Sequence, residues 1–453
     1  SAAAAVAGSF GLSLSGAGGG AESLVSIETV TRTKTLNAAV LDASEDITLR
    51  ASSDVIANSE VKATAASVGL IAAAAAGSVS RVTLNNPVEA FIDGGQVTAG
   101  GAVVVEADGR ALGSSKAAGL SVGTGVSVGA TVAEVSAAGL IQAGLGQSVT
   151  LQASRLNIKA DGRDTIFAEG AASSGGLLGG IAGVVVEVRD TRDVSATIGN
   201  GARIDVDHLS LASSHQQAGD TRADARALGL LAGTGAKVET KLTGKATAQI
   251  GDNVRINATG NVFINAINTG LKDRYAQQNN LRSGSVGLAG LNVLSSYTLL
   301  GTDNNRFTAS VNIGDNSRVL VSGTVQDPGR IEIASLADVY AVDSVRVEGV
   351  GAFNVSLGRS KIDAATESSV SVGASTLRND SGDVIISARS VNSANPSANL
   401  YTASVLTGVT GAEAIGRVNA LNLIKASDAV IRGGSVQLLA GLDGAGRVNQ
   451  LGG

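Results

Sequence analysis

The chain has 453 residues, a formal net charge of −5 and only 16% charged residues, and it contains 60 glycines, no cysteine, no tryptophan and 2% aromatic residues. Because it has no basic block, we do not expect nucleic-acid binding, and the lack of cysteine excludes disulfides and thiol chemistry. The hydrophobic fraction of 44% argues against disorder, while the scarcity of large side chains indicates a narrow interior.

The first part of the chain, residues 1–116, alternates stretches rich in Gly, Ala, Ser and Val with short segments of period-two alternation that are typical of β-strands. Ala72–Ala76 has high helix propensity. Strand-like residues flank it on both sides, so we interpret it as strand, with a short helix as the alternative. The apolar runs 68–79 and 175–186 are too short and too rich in small residues to predict a membrane span.

The most regular part, residues 117–280, repeats one order three times: a small-residue strand, a turn rich in glycine and asparagine, and a pair of short strands. The turn is clearest at Ile198-Gly199-Asn200, and variants recur along the whole chain. The residues that we interpret as structural turn anchors are Ile92, Ile141, Ile198, Gly199, Asn200, Ile250, Gly251, Asp252, Ile313, Gly314 and Asp315, with Leu41, Val372 and Ile431 as looser copies.

Two polar segments interrupt this order. Residues 272–282 contain Tyr275 among several Gln and Asn residues, and residues 299–308 contain a run of Asp and Asn. Such composition favours turns and loops. Both segments are therefore interpreted as a protruding loop or a corner of a coil.

The spacing of the anchors predicts a stacked repeat architecture. Neighbouring anchors lie 49 to 63 residues apart, a mean of about 56, so about eight degenerate repeats fill the chain. One extended coil of that length would have a perimeter of roughly 185 Å. We therefore favour two coils of about 28 residues per repeat, with three shorter coils as the alternative, and a rod roughly 75 Å long.

The predicted fold class is accordingly all-β, a parallel β-helix or β-solenoid. We expect a single continuous array over residues 1–453. Because no methionine is present, not even at position 1, the chain is expected to be a fragment of a longer one. Each coil would pair only with its neighbours, so no repeat could bury a core alone.

The repeats resemble those of a known family. The order is a Gly-rich apolar strand, the turn Ile250-Gly251-Asp252-Asn253, and the strand pair 254–258 and 262–266. It resembles the repeats of large filamentous adhesins, namely the leukotoxin-type filamentous adhesins and, more distantly, the filamentous haemagglutinin-like exoproteins. The resemblance covers nearly the whole chain. It implies a right-handed parallel β-helix, export across a Gram-negative envelope and a role at the outer cell surface.

The function expected from these observations is a structural rod of a large bacterial surface adhesin or extracellular fibre, without enzymatic activity. Its expected partners are neighbouring copies of itself or further repeats of the same chain, together with a host surface or matrix polysaccharide. One alternative is a self-assembling sheath or surface-layer protein, because the Gly, Ala and Ser strands offer a smooth face for lateral packing.

The other alternative is a carbohydrate-active β-helix enzyme, which would need clustered charged residues. Two such groups are expected at turns as solvated, mixed-sign pairs, and the two histidines, seven residues apart in a chain without cysteine, are expected at the surface rather than on a metal. No cofactor or metal is predicted, and the calcium-binding Gly-Gly-x-Gly-x-Asp repeat is absent. The residues of these candidate sites are Asp161, Arg163 and Asp164, then Arg189, Asp190, Arg192 and Asp193, and the histidines His208 and His215.

Overall fold

The structure is a computed structural model that describes residues 1–11, 14–36, 39–69, 71–324 and 326–452. Those residues are almost entirely β-strand, as the alternating pattern predicts, and none of them lies in a helix long and apolar enough to cross a membrane. The strands are β1 Ala2–Phe10, β2 Leu14–Glu28, β3 Thr31–Thr35, β4 Val40–Ala43, β5 Ile47–Val68, β6 Ile71–Asn85, β7 Val88–Ile92, β8 Gln96–Ala99, β9 Ala102–Gly123, β10 Val126–Ala138, β11 Leu140–Leu145, β12 Thr150–Gly176, β13 Gly179–Asp190, β14 Asp193–Ile198, β15 Arg203–Leu228, β16 Leu231–Leu242, β17 Lys245–Ile250, β18 Arg255–Ala258, β19 Val262–Lys272, β20 Leu281–Thr302, β21 Asn305–Ile313, β22 Arg318–Val321, β23 Arg330–Val372, β24 Thr376–Asn379, β25 Asp383–Ala426, β26 Val430–Arg432, β27 Ser435–Ala440 and β28 Gln450–Gly452.

The strands stack in parallel, each on the equivalent strand of the next coil, which makes the fold a parallel β-solenoid. Ile198 pairs with Ile250, 52 residues further on, and Ile264 pairs with Ile333, 69 residues further on. One repeat is therefore one coil. The expectation of two coils of about 28 residues per repeat is wrong, and the column from Leu41 to Ile431 spans about 34 Å rather than roughly 75 Å.

The long perimeter is accommodated because each coil is folded flat. Strand β12 runs out to a tip at Leu177 and Leu178, where the chain reverses, and β13 and β14 return along the other side. The first part of β12 packs against β14, and its later part packs against β13. Two facing strand layers thus fill what would be a hollow ring, so small side chains suffice for the interior.

Two apolar cores lie side by side within this flat coil. The first joins residues such as Leu156 and Ile158 to Ile198 on the side of the turns. The second joins Ile166 to Val186 towards the tip. In the coils around Asp164 and Asp220 the chain between these two cores is polar, and this band holds the buried charged residues described below. A third, smaller core includes Leu242, Leu300 and Phe307 in later coils.

Several local predictions can be compared with these strands. Ala72–Ala76 lies inside strand β6, so the strand interpretation is confirmed. Residues 273–280 form a turn region between β19 and β20, and Gly301–Arg306 form a short antiparallel hairpin. Both predicted interruptions are present, although Lys272 itself ends a strand and is buried.

Candidate functional site

A ladder of side-chain hydrogen bonds joins the predicted turns of successive coils. Asn200 Oδ1 accepts the backbone N–H of Asp252 at 2.9 Å, Asp252 Oδ1 accepts that of Asp315 at 2.8 Å, and Asp315 Oδ1 accepts that of Ala374 at 2.9 Å. Each side chain therefore satisfies a donor of the following coil. We call this series the turn ladder.

The glycines of these turns are required by close approach. A Cβ at Gly251 would overlap Asn200 Oδ1, and one at Gly314 would overlap Asp252 Oδ1. The residue two places later has left-handed backbone geometry, with φ of 57° at Asn253, which Asn and Gly tolerate best. Two physical causes thus explain the residues of this turn: the close approach of the neighbouring coil requires the glycine, and the left-handed backbone two residues later favours Asn or Gly.

The register corrects three of the anchors. Leu145, not Ile141, pairs with Ile92 and Ile198, and Ile141 lies four residues earlier beside Val88. The looser copies Leu41 and Ile431 belong to the column of the strand after the turn, which contains Ile256. Sequence similarity misaligned them because both columns place a buried aliphatic residue near a turn. The anchors Ile92, Ile198, Ile250, Ile313 and Val372 do share one column.

The first buried group of charged residues lies in the polar band, and we call it the Asp164 cluster. Arg192 Nη1 lies 2.7 Å from Asp164 Oδ1, His215 Nε2 lies 3.0 Å from Asp164 Oδ2, and all three side chains are 0% exposed. Asp190 Oδ1 accepts the backbone N–H of Arg192 at 3.1 Å, and Asn86 Oδ1 accepts Arg192 Nη2–H. The expectation that these residues are solvated is wrong for Asp161, Asp164, Asp190, Arg192 and His215, which are buried. The expected placement at turns is also wrong for the two charged groups, since only Arg192 lies between strands and the others lie in β12, β13 or β14.

Burial sets the charges of this cluster. It raises the pKa of Asp164 to about 6 against the opposing effect of the Arg192 guanidinium. Burial and the Asp164 carboxylate raise the pKa of Asp190 to about 8, and burial lowers the pKa of His215 to about 4. At pH 7 the cluster is therefore a single ion pair, Asp164 with Arg192, joined by a neutral acid and a neutral imidazole.

The same residues include a possible set of metal ligands. Ligand atoms of Asp164, Asp190 and His215 all lie within 4.8 Å of one another. The Arg192 guanidinium, however, already contacts the Asp164 carboxylate. A divalent cation placed there would be repelled by this fixed positive charge, so the arrangement suits an internal ion pair better than a metal.

The second buried group, which we call the Lys272 cluster, was not recognised in the sequence. Lys272 Nζ lies 2.9 Å from Asp343 Oδ1 and 3.5 Å from Asp220 Oδ1. Ser296 Oγ and Ser360 Oγ donate to the two oxygens of Asp343 at 2.6 and 2.9 Å. Because these residues are far apart in the chain, only the repeat length could have indicated from the sequence that they meet in the fold.

Burial opposes the charge on Lys272, but the carboxylates of Asp343 and Asp220 outweigh it and hold the pKa of Lys272 above its ordinary value. Burial likewise opposes the charge on Asp343, yet Lys272 and the hydroxyl donors keep the pKa of Asp343 below its usual range. Burial raises the pKa of Asp220. Lys272 and Asp343 thus form a buried ion pair whose acceptor oxygens are satisfied.

The remaining candidate residues make local contacts. Arg163 Nη2 lies 2.7 Å from Asp161, and Arg189 Nη2 lies 2.6 Å from Glu187, with both arginines well exposed. Asp193 Oδ1 accepts the backbone N–H of Lys245, 52 residues on, at 2.9 Å. The two candidate charged groups are therefore split between the interior and the surface.

His208, the other histidine, also has a structural contact. Its Nδ1 accepts the backbone N–H of Asn261 at 3.0 Å, and the side chain is partly buried. It lies in strand β15 and bridges to the next coil. The two histidines are therefore in different surroundings, since His215 belongs to the Asp164 cluster.

One groove on the surface has a volume of about 670 Å³ and crosses several coils near the tips. Its carboxylates are already paired. Asp224 lies 3.0 Å from Arg226, and Glu348 lies 2.6 Å from Arg346. The groove thus presents neutralised ion pairs rather than converging free acids.

Comparison of the chain with protein-family models, with curated proteins and with solved structures gave no match. We therefore infer a function from the geometry of the solenoid itself.

Proposed function

We propose that this chain is a structural rod in a large bacterial surface adhesin or extracellular fibre. The observation that carries the proposal is the turn ladder, in which Asn200, Asp252 and Asp315 bond each coil to the next. Because the backbone pairing runs from each coil to the next, such a stack gains length coil by coil without a change of design. Length and stiffness are the properties that a filament requires.

The distribution of charged groups supports a scaffold over an enzyme. In the Asp164 cluster the side chains of Asp164, Arg192 and His215 are 0% exposed, so a polymeric substrate has no path to them. The carboxylates of the tip groove are paired with arginines. A glycoside-cleaving site needs two free carboxyl groups facing one bond, and these pairs do not offer that.

We further propose that the rod lies outside a Gram-negative cell and contacts further repeats of its own chain, with a host surface or matrix polysaccharide as its target. The lack of cysteine suits a chain exported before it folds.

Antibodies against the hairpin Gly301–Arg306 would test the location, because Asp303 at its end has a 77% exposed side chain. Intact cells of the native organism should be labelled as strongly as permeabilised ones, and deletion of the reading frame should abolish attachment or the visible filament. Labelling that requires permeabilisation would overturn the proposal. Release of new reducing ends from acidic or neutral polysaccharides would overturn it in favour of an enzyme.

A further inference from the structure

The polarity of the solenoid is inverted at the tips of the coils. In strand β20, Ser285 and Asn292 point inward and are 1% and 0% exposed, whereas Leu288 and Leu291 point outward and are 57% and 52% exposed. The coil around Ser127 shows the same exchange, since Ser127 is 0% exposed. A monomeric strand normally places its aliphatic residues inside, so the tips are built for a partner that is itself apolar.

The outward aliphatic and aromatic side chains follow the tips of the coils along the rod, and we call this series the apolar ridge. Leu228, Val286 and Val350 pair in register on successive coils, whereas Gly175 takes the equivalent place one coil before Leu228. Successive coils are about 4.8 Å apart. Exposed members in the interior coils include Val122, Leu177, Leu230, Leu288 and Phe353.

The ridge carries no charge of its own. The stretches that form its tips contain no Asp, Glu, Lys or Arg, although such residues immediately flank most of them. A charged partner would find no counter-charge within the ridge, so the composition favours an uncharged surface. The uncharged stretches are 2–21, 63–80, 117–133, 170–186, 227–236, 283–302, 349–358 and 390–412.

The size of the ridge is that of a stable interface. Leu177 is 69% exposed, Leu231 64% and Leu288 57%. The exposed members in the interior coils together present on the order of 1,000 Å² of apolar surface, above the few hundred Å² that are typical of patches on monomers. About 800 Å² per partner suffices for a specific complex.

We propose that the ridge pairs with the same ridge on a second copy of this chain. A second copy offers an equally uncharged surface whose side chains recur at the same 4.8 Å spacing, roughly, over the whole length. A lipid surface fits less well because interfacial anchors are typically Trp or Tyr accompanied by several free Lys or Arg residues. The chain has no Trp, and of the three arginines in the described groove Arg226 and Arg346 are paired with Asp224 and Glu348, which leaves Arg282 outside an ion pair.

Sedimentation of the full chain over a range of concentrations tests the pairing. The chain should sediment as a dimer, and the double variant Leu230→Glu/Leu288→Glu, altered at two adjacent tips, should sediment as a monomer. The matched control is Leu140→Glu/Ile267→Glu, whose residues are 43% and 39% exposed outside the ridge, and it should remain dimeric. Circular dichroism should show that all three chains are folded, since every substituted side chain points outward.

A wild-type chain that stays monomeric, or a ridge variant that stays dimeric, would overturn the proposal. Flotation with neutral and with anionic phosphatidylcholine-based vesicles provides the other arm. Binding to vesicles that is lost in the ridge variant, without dimers of the wild type, would assign the ridge to lipid instead. The pairing goes beyond the proposed rod function, and the two proposals can fail separately. A chain that is labelled on intact cells but sediments as a monomer contradicts the pairing alone. A dimer that is labelled only after permeabilisation contradicts the surface location alone.

Discussion

The Oδ1 atom of Asn200 accepts a hydrogen bond from the backbone N–H of Asp252, 2.9 Å away in the next coil. Asp252 does the same for Asp315, so an Asn or Asp at one turn position serves both as a local turn former and as a link between coils. A turn residue of this kind contributes to stability through a contact that its own repeat does not contain.

The ladder predicts a measurable cost for losing one link. Asp252→Ala removes the acceptor for the Asp315 N–H and should lower the free energy of unfolding by about 1–2 kcal/mol. Asp252→Asn keeps an oxygen in place and should retain most of that energy. Urea unfolding monitored by circular dichroism would measure both, with Glu45→Ala, at an exposed residue, as the control. Equal midpoints for Asp252→Ala and the wild type would contradict the ladder's contribution.

The Asp164 cluster predicts a pH dependence of stability. Burial raises the pKa of Asp190 to about 8, so between pH 6.5 and 8 the folded state keeps a proton that the unfolded state has lost. The stability that this proton provides is therefore lost as pH rises through that window, by about 1.4 kcal/mol per pH unit. Above about pH 7 His215 is largely neutral in both states, because the imidazole of the unfolded chain has an ordinary pKa of about 6.5 and burial lowers the folded value to about 4.

Asp190→Asn tests this assignment, since the amide oxygen can still accept the Arg192 N–H. The urea midpoint of the wild type should fall between pH 6.5 and 8, and that of the variant should be nearly constant. Below pH 6.5 His215 acts in the opposite sense, because its lowered pKa costs stability as the pH falls towards 4. A wild type as flat as the variant above pH 6.5 would show that Asp190 is ionised in the folded state.

The Lys272 cluster predicts that one substitution that removes its positive charge has a large effect on the free energy of unfolding. Lys272→Met leaves Asp343 buried without its cation and should cost about 3–5 kcal/mol. The matched control is Lys62→Met, which breaks the exposed pair of Lys62 with Glu60 and should leave the free energy of unfolding nearly unchanged, because solvent screens that pair. Adding Asp343→Asn to Lys272→Met should recover part of the loss. Equal unfolding energies for the two single lysine variants would refute the buried ion pair.

The strand content and the turns were predictable because their causes are local. Alternation identifies strands, and the Gly and Asn residues around Ile198 identify a turn. Coil size was not predictable in this way. An estimate from the perimeter treats the coil as an open ring. In the flat coil, β12 packs face to face against β13, and this packing joins segments that are distant in the sequence.

The buried clusters were missed for a related reason. Asp164 and His215 are 51 residues apart, and they meet only because Gly162 pairs with His215 in the register of the coils. The wrong number of coils per repeat hides such a contact. Neighbouring charges of mixed sign usually indicate solvated ion pairs at a turn. Here several of them are buried, because the polar band between the two cores lies inside the coil. The true coil length used as an offset along the sequence would have placed His215 next to Asp164.

The coil length itself gives the last prediction. Deleting residues 96–149 removes one whole coil and joins Gly95 to Thr150, which occupies the position of the first deleted residue in the next coil. This chain should keep its circular dichroism spectrum and a cooperative thermal transition, and X-ray scattering should show a rod about 4.8 Å shorter. Deleting only 96–122 joins Gly95 to Gly123 at the tip, which removes one layer of the flat coil and leaves the facing layer without its core. That chain should lose the cooperative transition. If both deletions fold equally well, the repeat contains two equivalent coils and the flat single coil is wrong, because only a coil of half the length would tolerate the shorter deletion.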